Sequence, residues 1–69
     1  GIEPSIYKTV KIIDSYTVVE NELHAILNYN QINQIRVYVF KVTTFSGECS
    51  IIKVREDNAA CSALLAKSK

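Results

Sequence analysis

The segment from Ile35 to Phe45, IRVYVFKVTTF, narrows the folds open to this chain more than any other stretch of it. Ile35, Val37 and Val39 occupy one parity and Tyr38, Phe40 and Val42 the other, so a strand here presents apolar side chains to both faces. β-branched and aromatic residues fit the pleated backbone, and a strand apolar on both sides belongs in the middle of a sheet. The remaining residues must therefore supply flanking strands and cover.

The flanks are readable on both sides. Phe45-Ser46-Gly47-Glu48 contains the glycine that a chain reversal requires, and Cys49–Arg55 returns as an antiparallel partner. Upstream, Ile6–Asp14 is a third strand, with Ile6, Val10 and Ile12 on one parity beside Lys8, and Tyr7, Thr9, Lys11 and Ile13 on the other. Between these, Thr17 and Glu20 match the S/T-x-x-E capping box, which predicts a helix start. Val19, Leu23, Ile26, Leu27 and Asn30 then recur at helical spacing, so the helix is expected to end near Tyr29, followed by a polar turn to Gln34. A competing pattern pairs Leu23, Ala25, Leu27 and Tyr29 on one face of a strand. Asp57 is placed to cap a last helix running through Lys67, with Ala60, Leu64 and Lys67 along one stripe and Cys61 and Leu65 beside it.

The expected fold is thus α+β: a small antiparallel sheet of about three strands with two helices, in the order β-α-β-β-α. If residues 23–30 are extended, the alternative is a four-stranded antiparallel meander with a C-terminal helix. With 69 residues and 48% hydrophobic content, residues 1–69 are expected to form one domain. Such a domain buries only about 60% of its unfolded surface, so a staple or a partner is expected to support it.

Charge and motif narrow the function. Eight basic against seven acidic residues leave a net charge of +1, without the basic excess that rewards counterion release on nucleic acid. The longest stretch free of Asp, Glu, Lys and Arg, Leu23 to Ile35, is rich in Asn and Gln, so no membrane span is expected. The N-terminal Gly1-Ile2-Glu3-Pro4 lacks the basic start and apolar stretch of a signal peptide, which leaves a cytosolic protein or a removed leader, and the location undecided. His24 is the only histidine, and with Cys49 and Cys61 it makes neither a zinc ligand set nor a nucleophile–base signature. Glu20 and Glu22 diverge on the expected helix, and Gly47 as sole internal glycine excludes a phosphate loop. The chain is accordingly expected to have no metal, no cofactor and no catalytic site. Cys49 and Cys61 leave two readings open: one disulfide closing a loop of about a dozen residues, or two free thiols packed as small hydrophobes.

What remains is binding. Arg36, Tyr38 and Phe40 share one strand face, an aromatic-and-basic spacing like that of sheets that stack single-stranded RNA, and Tyr7 on the first strand extends the candidate surface. Small residues normally separate the aromatics of such a surface; here Val37 and Val39 do. The first expectation is therefore a non-catalytic protein-interaction module, of the secreted effector or inhibitor kind, that docks on a partner or on itself through a sheet edge or strand face. The alternative is a single-stranded nucleic-acid binder using Tyr7, Arg36, Tyr38 and Phe40.

Overall fold

The computed structural model describes residues 3–24 and 29–69, with side chains placed over 3–20 and 32–69. A single 3₁₀ turn, Pro4–Ile6, leads into three strands, β1 (Tyr7–His24), β2 (Tyr29–Thr44) and β3 (Cys49–Arg55), and then a helix, α1 (Ala60–Lys67). The strands form an antiparallel sheet in the order β1-β2-β3, so β2 is central and β1 and β3 are its edges. This is a small three-stranded antiparallel sheet with one C-terminal helix.

The reversal at Gly47 and the bounds of β3 lie where the sequence places them, and residues 35–44 of the expected central strand fall within β2. Gly47 sits at φ +93°, a backbone region hostile to side chains, and its N–H donates to the Thr44 carbonyl at 3.0 Å while Thr44 N–H donates to Glu48 at 2.8 Å. The helix expected from Thr17 is the main correction. Residues 17–24 continue β1, and β2 begins at Tyr29 rather than Ile35, so among the described residues the order is β-β-β-α, with one α-helix in place of the two expected and three strands rather than the four of the alternative. The part of the proposed helical stripe at 25–28 lies outside the described residues. Long-range pairing decides the outcome: Thr17, Val18, Val19 and Glu20 stand opposite Arg36, Ile35, Gln34 and Asn33. Their β-branched side chains are stiff and prefer the pleated surface. Glu20 does not close a capping box, because its carboxylate accepts a hydrogen bond from the Arg55 guanidinium at 2.6 Å.

The last helix is shorter than expected at its start. Asp57 does not cap it; the N-cap is Ala59, which makes no side-chain cap bond, and Asn58 before it closes the entry turn, its side-chain oxygen accepting the Ala60 N–H at 2.9 Å while its carbonyl accepts Cys61 N–H at 3.0 Å. Asp57 instead meets Arg55 through two bonds, at 3.1 and 2.8 Å.

Strand alternation divides the sheet into two unlike faces. One carries Tyr7, Val10, Phe40, Val42 and Val54, which close into a core with Cys61 and Leu64 of α1; Phe40, Val42 and Leu64 have no exposed surface. Tyr38, Ile52, Ala60 and Leu65 pack around its margin. Lys67 Nζ donates to the Pro4 carbonyl at 3.2 Å, which ties the end of α1 to the chain's first turn. Among the described residues no helix covers the other face. There Val37 and Val39 are nonetheless buried, flanked by Tyr16 and Arg55 and by Asp14 and Lys53, whose ring and long stems shield them.

β3 pairs with β2 only from Val37 to Thr43, whereas the β1–β2 ladder runs the full length of both strands. Beyond Arg36 the sheet is therefore a two-stranded ribbon. The radius of gyration is 15.4 Å and the extents are 52 × 20 × 18 Å, against about 11 Å for a compact chain of this length.

Candidate interaction surface

The four sequence-selected residues do not form one exposed platform. Phe40 is fully buried and Tyr7 is 9% exposed, both within the core under α1. A ring without accessible surface has no face on which a base can stack. Tyr38 is half-buried, its ring centroid 6.2 Å from that of Phe40 with the planes tilted by 31°. Arg36 is exposed, one step further along the same face, and its carbonyl accepts Glu56 N–H at 2.8 Å. Only Arg36 and part of Tyr38 thus stay open to a ligand.

The cysteines sit on opposite sides of the sheet. Cys61 is buried in the core, whereas Cys49 is exposed and stands opposite Thr43, on the parity turned away from α1; both are free thiols. Burial, with a smaller contribution from the Glu56 charge, pushes the Cys61 thiol above its ordinary pKa. Among the described residues, no group of three or more His, Cys, Asp or Glu side chains converges on a metal-sized site, and no helix is long and apolar enough to cross a membrane.

Arg55 organises the region where the ribbon leaves the body. Its Nη1 donates to Glu20 on β1 at 2.6 Å, and its Nε and Nη2 donate to Asp57 at 3.1 and 2.8 Å. Asp57, then Glu20, hold the guanidinium above its usual value, and Arg55 in return holds the Asp57 carboxyl below the usual carboxylate range. The side chains are 41–54% exposed, so the network fixes the geometry of β1 against β3 more than it adds stability.

Sequence reading missed the surface formed by β1 itself. With the sheet order β1-β2-β3, no strand among the described residues pairs with the outer side of the 18-residue β1. Ile12, Ile13, Tyr16 and Val19 on this strand are 41–59% exposed, whereas β3 shows only Ile51 among large apolar groups exposed to that degree. Register irregularities at Tyr7/Thr9 and Ile12/Asp14 leave Lys8 and Ile13 without a Cα partner on β2. Lys11 stands directly opposite Lys41 on the face away from α1, a like-charge cross-strand pair with no salt bridge to an acidic side chain among the described residues. The signal lay in the alternation of Thr17–His24, which the local capping pattern outweighed. Comparison with protein-family models, with curated proteins and with solved structures returned no match.

Proposed function

We propose that this chain is a non-catalytic protein-interaction module that docks through the open edge of β1. The observation that carries the proposal is the concentration of exposed apolar side chains, Ile12, Ile13, Tyr16 and Val19, on one long unpaired strand edge. Edge strands expose a row of N–H and C=O groups that pair readily with another chain, and folded proteins usually blunt them with charge or short length. Here the edge has lysines only near its start and is the longest element in the molecule. Strand addition supplies main-chain hydrogen bonds, while the apolar residues of alternate parity supply side-chain selectivity.

The reading is tested by placing a photo-crosslinking benzoyl-phenylalanine at Ile12 or Val19, and for comparison at exposed Ser62 on α1, in extracts of the source cells. Discrete adducts from the β1 positions alone support it. Equal labelling from Ser62 excludes β1 as the docking edge. Micromolar binding of a fluorescent mixed-sequence single-stranded oligonucleotide, lost on Arg36→Ala, would instead favour the nucleic-acid reading.

A further inference from the structure

We infer that the partner of the β1 edge is a second copy of this chain, paired antiparallel about a two-fold axis through Tyr16. The inference rests on the proposal that β1 is the docking edge, and it assigns the occupant and the register.

A two-fold axis normal to a sheet places one residue opposite its own copy and requires directly opposed residues to share a face. Centring the axis at Tyr16 sets Tyr16 against Tyr16, Ser15 against Thr17 and Asp14 against Val18 of the second copy. The Ile12/Asp14 irregularity then removes Ile13 from the count, so Ile12 meets Val19 and Lys11 meets Glu20. The faces agree at every step. Ile12 and Val19 lie opposite Phe40 and Gln34, on the α1 side, while Lys11 and Glu20 lie opposite Lys41 and Asn33, on the other.

The charges select this register. Centring on Ser15 would oppose Lys11 to Val18 and Ile12 to Thr17, with no ion pair. Centring on Thr17 would oppose Asp14 to Glu20, two carboxylates on the same face. The Tyr16 centre brings Lys11, crowded by Lys41, against Glu20 twice by symmetry and opposes no two carboxylates, whereas the Thr17 centre, which sets Lys11 against Glu22, carries the Asp14–Glu20 repulsion with it. Glu20 accepts from Arg55 through Oε1 within its own chain, and its carboxylate, 41% exposed, stands on the face that Lys11 of the second copy would meet. The same pairing covers exposed Ile12 and Val19 together and forms an aromatic cross-strand pair from two Tyr16 rings that are 41% exposed when alone. The product is a continuous six-stranded sheet with a helix at each end, close to the usual size of a sheet. β3 offers a poorer edge: it has seven residues, one well-exposed large apolar side chain and no acidic residue to answer Lys53 or Arg55.

Sedimentation velocity of the unaltered chain, from low to high micromolar concentration, tests the stoichiometry. Mild oxidation of Tyr16→Cys in a Cys49→Ser background tests the register, because cross-strand Cβ atoms at about 4.5–5.5 Å lie close to disulfide reach. The expected result is a concentration-dependent dimer and a disulfide-linked dimer from Tyr16→Cys, with none from the matching Ile51→Cys control on β3. A dimer that cross-links through Ile51→Cys, or through neither position, overturns the assignment to β1. A monomer at every concentration overturns the second copy as occupant; adducts to other proteins from Ile12 and Val19 would then leave the docking edge itself standing.

Discussion

Phe40 lies in the sequence among residues selected for recognition, and in the structure beneath α1 with no exposed surface, clustered with Val42, Val54, Cys61 and Leu64. Removing a buried ring costs about 3–5 kcal/mol, as much as the few kcal/mol a domain of this size holds in total. Phe40→Ala is therefore expected to leave the chain largely unfolded in water, seen as loss of the cooperative urea transition. Arg36→Ala, at an exposed site, should shift the midpoint little. Retention of the full transition by Phe40→Ala would place the ring outside the core. The cysteines give a second check. Cys49 is exposed and Cys61 is 2% exposed, so a thiol reagent should label one site quickly in the native chain and the second only at the rate of unfolding. Because burial raises the folded-state pKa of Cys61, its contribution to stability is complete below the unfolded thiol value and is lost as pH rises through the folded value. Denaturation midpoints should fall on the alkaline side of about pH 8.5 and fall less in Cys61→Ala, which has no thiol to ionise. An identical alkaline limb in both proteins would assign the loss to other groups.

The elements differ in how far they could be read from local sequence, and the hairpin at Gly47 is the clearest success. Its glycine adopts φ +93°, and a Cβ built there meets nothing within 4 Å, so a side chain at this position suffers from backbone conformation alone. Gly47→Ala should cost about 1–2 kcal/mol, measured as a shift in urea midpoint with unchanged slope. A neutral substitution would mean that the turn relaxes to another type. β3 was legible to the residue because Gly47 and the Arg55–Asp57 turn bound it on both sides. The region from Thr17 was not. Thr17 and Glu20 carry a capping pattern, but this local preference competes with a ladder whose other half lies at Ile32–Arg36. Pairing at that distance leaves only a weak trace in sequence, an alternation of parity that short apolar stretches also show on helices. The candidate surface was obscured for the same reason: Ile12, Tyr16 and Val19 become one edge only once residues 7–24 are a single strand.

Across the whole molecule, stability is distributed unevenly along the sheet. β2 is sandwiched by β1 and β3 from Val37 to Thr43 and backed there by α1, whereas from Arg36 outwards it has β1 alone. An isolated two-stranded ribbon is marginal in water, and of its described side chains Val19 and Ile32 are 59% and 65% exposed. The ion pair from Arg55 to Glu20 holds the base of the ribbon to the body. Native-state hydrogen exchange should accordingly show two classes of amide. Those at 37–43 that bond within the sheet should open only with global unfolding, and those at 32–35 should exchange through local opening of lower free energy. Raising the protein concentration should slow the ribbon amides and the global class alike, because strand pairing along β1 stabilises the folded chain, ribbon included, by mass action. Protection at 32–35 equal to that at 37–43 in dilute solution would show that the two-stranded ribbon is as stable as the body by itself, removing the energetic reason for it to seek a partner.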